Sequence, residues 1–512
     1  MTEPRHTLLL CNCNRTLQLD GKIVTTALGL PAHTHIHSEL CRRHVAAFEA
    51  AAKSGDDLLV ACTQEAPLFR ELHEQFKGAG DIRFTNIRET AGWSADGAAA
   101  SPKIAALLAM ADLPEPEPVP LVTYESHGRL LVVGPGALAL QWAENLAAQM
   151  DVGVLITDEG ARADLPLERR FPVYSGGNVK VTGYLGAFDV AWEQGNPIDL
   201  EACTRCNACI AACPEQAIDY SYQIDLDKCK AHRQCVTACG EIRAIDFARA
   251  ERARSERFDL VLDLCAEPLI KLHQPPQGYF APGPDPHAQG NAARELATMT
   301  GEFEKPKFFV YREKICAHSR AEITGCTQCI DVCSTAAISA DGDHIKVEPH
   351  LCMGCGACAT VCPSGAMTYA YPRVADAGTR LKTLLGTYAG AGGKNACVLF
   401  HNATDGRNLV LNLGRRGKGL PARVVPLEAF HIASLGMDTL LGAVVYGAPQ
   451  VAILSTGVEA PAYLVALRRE MSHAQQILTA LGFGDGHFSL IEARDYAALE
   501  VAVRKLPAPS AA

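Results

Sequence analysis

Over residues 1–111 short apolar runs alternate with segments in which apolar positions recur every three or four residues. Residues 7–10, 58–61 and 82–85 predict strands, and 39–53, 67–76 and 102–110 predict helices. Such alternation describes a parallel sheet, so 1–111 is expected to be an α/β domain. Pro114, Pro116, Pro118 and Pro120 follow at alternate positions. Each ring disfavours helix at the residue before it, which makes 112–120 an extended spacer and a domain boundary.

The pattern resumes as strand 130–133, a glycine turn at 134–136, helix 138–150 and strand 152–157, the start of a doubly wound unit. That unit, 121–200, is truncated, because a cysteine-rich stretch begins at 203, well short of the length of a full dinucleotide domain. A strand over 258–264 is placed to rejoin the sheet. Residues 274–290, rich in proline and glycine, read as a linker or surface arm within 257–306. After a second cysteine-rich stretch, 316–362, strands are predicted at 396–400, 422–426, 451–454 and 488–491, with helix over 461–481. These form a C-terminal α/β domain, 379–506, of flavodoxin-like type.

Composition narrows the function. The chain has 512 residues, 48% hydrophobic and 20% charged, with no apolar run of about 18 residues, so no membrane span is expected. Mean hydropathy is +0.03. A net charge of -10 argues against a nucleic-acid partner. Leu8, Leu9 and Leu10, preceded by Glu3, are too short an apolar stretch for a signal peptide, and a cytoplasmic address is expected. Cysteine is the outlier, at 21 residues. In a cytosolic chain of this size closely spaced cysteines read as metal ligands before disulfides.

Cys203, Cys206, Cys209 and Cys213, followed by Pro214, fit C-x2-C-x2-C-x3-C-P. Cys352, Cys355, Cys358 and Cys362, followed by Pro363, repeat it. In this ferredoxin run three thiolates grip one 4Fe-4S cluster and the fourth crosses to another. Each run has an irregular companion. Cys229, His232, Cys235 and Cys239 keep the spacing, with His232 at the second position and Gly240 in place of proline. Crossing assigns a first cluster to Cys203, Cys206, Cys209 and Cys239. A second falls to Cys213, Cys229 and Cys235, with His232 as fourth ligand or, if it does not bind, as a 3Fe-4S cluster. An imidazole in place of a thiolate would raise the reduction potential. In the second stretch Cys326, Cys329 and Cys333 occupy positions two to four, Ile323 the first, and Cys316 lies a longer loop upstream. A third cluster is then expected on Cys333, Cys352, Cys355 and Cys358. A fourth is expected on Cys316, Cys326, Cys329 and Cys362, provided the loop 317–325 folds back. These stretches define two ferredoxin-like modules, 201–250 and 307–372, and the whole is a multidomain chain of α/β and α+β units.

Cys11 and Cys13 end the first predicted strand, Cys62 ends the strand 58–61, and Cys41 opens the helix between. Parallel strands deliver their carboxyl ends to one edge, where α/β folds bind ligands, so these four thiols are a candidate fifth set. Packing of buried cysteine at strand ends is the alternative. Nothing near Cys265 or Cys397 completes a set, and both read as structural.

The order of parts resembles the A-type component of heterodisulfide reductase. The likeness rests on Cys11, Cys13, Cys41 and Ala61-Cys62-Thr63, on Val132-Val133-Gly134-Pro135-Gly136-Ala137-Leu138-Ala139, and on Gly183-Tyr184-Leu185-Gly186-Ala187-Phe188 before the first cysteine run. Residues 394–492 are distantly similar to the small D-type component of methyl-viologen-reducing hydrogenase. The resemblance implies a cluster in the N-terminal domain and FAD on the glycine turn. Gly134 and Gly136 would approach the pyrophosphate, and Asp158 or Glu159 would accept from the ribose. Most of the flavin domain is missing, however, and the C-terminal domain keeps only Cys397 of its relatives' cluster ligands.

Three functions follow. The first is electron transfer: a polypeptide relaying single electrons between a catalytic redox partner, of formate dehydrogenase, hydrogenase or heterodisulfide reductase type, and an acceptor. The second is an FAD-containing component of an oxidoreductase. The third is an iron-sulfur assembly factor for a formate dehydrogenase-type enzyme, for which His33, His35 and His37 are the candidate shuttle residues, though i, i+2 spacing also suits one polar strand face.

Overall fold

The computed structural model describes residues 6–31, 33–157, 163–249, 252–318 and 325–507, arranged about three parallel sheets. The N-terminal sheet has the order Ile36–His37, Thr7–Cys11, Leu58–Val60, Ile82–Phe84, all parallel. Its second helix starts later than the apolar pattern suggests, at Val45–Ser54. Residues 39–44 form a turn instead, closed by the Arg42 and His44 amides donating to the Glu39 carbonyl at 3.0 and 3.1 Å. Cys41 therefore sits on a turn and does not open a helix.

In the central sheet the order is Tyr279–Phe280, Leu260–Asp263, Arg129–Gly134, Asp151–Ile156, Val173–Ser175. Leu260–Asp263 rejoins beside the first strand of the unit, with Leu262 opposite Val132. The chain between Val173–Ser175 and Leu260–Asp263, with the first cysteine-rich stretch, is thus an insertion. It is framed by the antiparallel strands Gly177–Tyr184, Ala187–Glu193 and Ala253–Phe258. Residues 274–290 are more ordered than a linker. They hold an edge strand and the start of helix Pro286–Leu296, where Asp285 accepts from the amides of His287 and Ala288. Proline at the first helical turn costs no hydrogen bond, which is how a Pro-rich segment initiates a helix.

The C-terminal sheet is also parallel, in the order Val424–Ala429, Cys397–Asn402, Gln450–Ser455, Phe488–Glu492, flanked by helices that include Val374–Gly390 and Pro461–Ala480. The first and last domains share one apolar core, in which Leu10, Leu17, Ile104 and Leu108 pack with Leu384, Phe400, Val425 and Ile453. Polar contacts reinforce this seam. Arg415 Nε donates to buried Glu89 at 2.8 Å, and fully buried Lys103 donates to the Leu420 and Pro421 carbonyls at 3.2 and 3.0 Å. Among the described residues no helix is long and apolar enough to cross a membrane.

Candidate iron-sulfur centres

A ferredoxin loop must wrap a cluster closely, which requires left-handed backbone at fixed places. In the first run these are Arg205 (φ 57°) and Asn207 (φ 65°), two and four residues after Cys203. In the second they are Gly354 (φ 77°) and Gly356 (φ 78°), at the same offsets from Cys352. Glycine adopts such angles without strain, whereas the arginine must be held there by its surroundings. Arg205 is held: its amide donates to Cys203 Sγ at 3.4 Å and its guanidinium to the Pro166 carbonyl at 2.9 Å. Cys203, Cys206, Cys209 and Cys239 line one narrow pocket, closed by Ile198, Tyr222 and Ile245.

The companion run repeats this backbone. Ala231 (φ 61°) and Arg233 (φ 63°) stand two and four residues after Cys229, and the Ala231 amide donates to Cys229 Sγ at 3.4 Å. His232 thus occupies the loop position of Cys206. Its ring is 43% exposed and its Nε2 lies 3.9 Å from Glu215, two residues beyond Cys213. Burial raises the Cys235 thiol, and Cys213 and Cys229 beside it raise it further, so these three thiols share one neighbourhood.

In the second stretch Cys316, Cys326, Cys329 and Cys362 line one pocket, with Met367 and Ile345 as its apolar walls. Cys316 reaches it from the end of a short turn, Glu313–Ile315. Ile323 lies outside the described residues. Cys333, Cys352, Cys355 and Cys358 form the neighbouring group. Burial drives the Cys358 thiol well above its ordinary range, with Cys355, Cys352 and Cys333 adding to the effect. Burial likewise pushes Cys352, Cys329 and Cys209 up to about 11. Crowded, desolvated thiols of this kind ionise when a cation enters, so a positively charged metal core suits them.

The N-terminal set also converges. Cys11, Cys13, Cys41 and Cys62 line a cavity of about 340 Å³. Three successive left-handed residues, Cys13, Asn14 and Arg15, turn the chain there, and the Cys13 amide donates to Cys11 Sγ at 3.4 Å. Arg88, which no sequence motif marks, donates to Cys13 Sγ at 3.4 Å and places its guanidinium 4.2 Å from the Trp93 ring. Among the described residues no three His, Cys, Asp or Glu side chains close on one point as a single-ion site requires. This includes the histidines: His35 and His37 do share a face, with rings 4.5 Å apart, and His44 joins them 5.5 Å from His37. Three of the thiol sets instead stand round pockets, as a polynuclear cluster needs.

A Cβ on Gly134 would meet the Leu264 side chain at 2.9 Å and its backbone at 3.0 Å, so this glycine makes room for the chain's own neighbouring strand. The helix begins at Gly136, and Ala139 is fully buried. Asp158 and Glu159 lie outside the described residues. Cys397 is buried in the C-terminal core, where burial pushes its thiol up to about 12, and Cys265 packs at the rim of the central core.

Family models agree with these pockets. Residues 196–240 and 324–366 each match a 4Fe-4S dicluster domain. No curated protein matches the chain. The matched segments and the thiol pockets define a multi-cluster iron-sulfur protein of mixed α/β architecture. Two ferredoxin domains are carried within it.

Proposed function

We propose that the chain is an electron relay: a cytoplasmic component that passes single electrons between a catalytic redox partner and an acceptor, as its resemblance to the A-type component of heterodisulfide reductase implies. The observation that carries this reading is that each ferredoxin run shares a pocket with thiols of its companion, Cys203, Cys206 and Cys209 with Cys239 in the first module and Cys362 with Cys316, Cys326 and Cys329 in the second. Thiolates in such sites hold 4Fe-4S clusters, which supply one-electron chemistry when bound. The protein's part is to fix the loops, exclude water and set the potentials. Two clusters belong to each module and a fifth to Cys11, Cys13, Cys41 and Cys62. His232 is the fourth ligand of the cluster on Cys213, Cys229 and Cys235, because its loop repeats that of Cys206. The partner is of formate dehydrogenase, hydrogenase or heterodisulfide reductase type, and the fit of Leu264 against Gly134 favours a relay over a flavoprotein with FAD on that turn.

The test is an anaerobic reductive titration followed by electron paramagnetic resonance. A relay takes up several electrons reversibly without losing iron. Loss of iron on the first cycle would point to cluster donation, the work of an assembly factor.

A further inference from the structure

We propose that the cavity between the second ferredoxin module and the C-terminal sheet binds a planar redox-active ring carrying one anionic group. This deepens the relay reading, on which it rests for the ring's role, by naming the class of its small-molecule carrier. The cavity measures about 640 Å³, within the range of small-molecule sites. Its walls are largely apolar and come from both bodies, with Val361 and Met367 from the module and Phe400 and Leu427 from the sheet.

Two features decide the ligand class. The first is position. Cys362 and Met367 border both this cavity and the pocket of Cys316, Cys326 and Cys329, so a bound ring is separated from that thiol set by one layer of side chains. The second is charge. Arg380, on helix Val374–Gly390, lines the cavity and forms no ion pair among the described residues. Glu428, the acid that acts on it, is held by both Nε and Nη2 of Arg407 at 2.5 Å. The other charges have their own contacts: Arg469 donates to Gln328 at 2.9 Å and pairs with Glu470 at 3.7 Å, and Asp438 accepts from the Thr439 amide at 2.8 Å. A partly buried guanidinium facing an apolar cavity selects an anion on an otherwise apolar ligand. Reducing such a ring takes two electrons and two protons. The reduced relay supplies the electrons singly, and water supplies the protons.

Flavin mononucleotide and a hydroxylated naphthoquinone share this chemistry. The full-length, iron-loaded chain is titrated anaerobically with flavin mononucleotide, by fluorescence quenching, and with 2-hydroxy-1,4-naphthoquinone, by equilibrium dialysis. One equivalent of at least one ring is expected to bind, and which one binds names the source. Arg380→Gln weakens binding about tenfold or more, Arg380→Lys retains most of it, and Ala377→Phe, which fills the cavity, abolishes it while iron content stays constant. Absence of binding by either ring, or equal binding by wild type, Arg380→Gln and Ala377→Phe, overturns the site. A chain that binds the ring but holds no iron would instead overturn the relay and leave the site standing.

Discussion

The Tyr463 side chain packs in one buried cluster with Cys355, and its hydroxyl acts to lower that thiol. It also meets the Ser334 hydroxyl. Tyr463 is 1% exposed and belongs to helix Pro461–Ala480 of the C-terminal domain, so that domain reaches a thiol of the second module directly. The docking around it is tight: Thr360 Oγ1 donates to the Ala433 carbonyl at 2.7 Å, and a Cβ on Gly356 would meet Ser434 at 2.5 Å. The C-terminal domain thus shapes the surroundings of the thiols of Cys333, Cys352, Cys355 and Cys358.

A hydroxyl dipole beside a cluster thiolate stabilises the more negative, reduced state. Tyr463→Phe keeps the ring and removes that hydroxyl. The reduction potential of one cluster is expected to fall, with iron content unchanged, in a redox titration followed by electron paramagnetic resonance. An unchanged set of potentials would mean that the hydroxyl serves only Ser334.

His232 gives a two-sided prediction. His232→Cys restores four thiolates and is expected to yield an additional low-potential cubane signal. His232→Ala is expected to leave a 3Fe-4S signal in the oxidised protein. If both variants keep the wild-type spectrum, His232 is a bystander beside Glu215.

Cysteines outside the pockets behave differently from those within. Cys265→Ala and Cys397→Ala are expected to leave the iron and sulfide content at the wild-type level. Cys209→Ala and Cys329→Ala are expected to lower it by about one cluster each, as read by colorimetric iron assay.

Glu89 makes the seam between the first and last domains sensitive to acid. Burial alone would raise its carboxyl, but hydrogen bonds from Arg88 and Arg415 outweigh burial and hold it down at about 2. A carboxylate depressed in the folded state contributes stability above its unfolded value near 4.5 and loses it as the pH falls toward 2. Glu89→Gln is expected to cost on the order of 3 kcal/mol at pH 7, read by chemical denaturation. The difference from wild type should shrink below pH 4.

Much of the fold is legible in the sequence because it is local. The strand Arg129–Gly134, the helix Pro461–Ala480 and the alternating C-terminal strands follow apolar periodicity, and the cysteine runs announce themselves by spacing. Other features depend on partners far along the chain. Nothing near Tyr463 in sequence signals Cys355, and nothing near Glu89 signals Arg415, because each pairing exists only after domains dock. The turn at Cys41 is hidden for a different reason: the apolar pattern continues through it, and only the hydrogen bonds to Glu39 delay the helix. Composition misleads over 274–290, since proline starts helices as readily as it fills loops.

Anaerobic metal and sulfide analysis of the full-length chain bears most directly on whether its thiols cage iron. Five clusters predict about twenty iron and nearly as many acid-labile sulfide atoms per chain, with a brown colour bleached by dithionite. A colourless protein holding zinc in place of iron, with no labile sulfide, would contradict it.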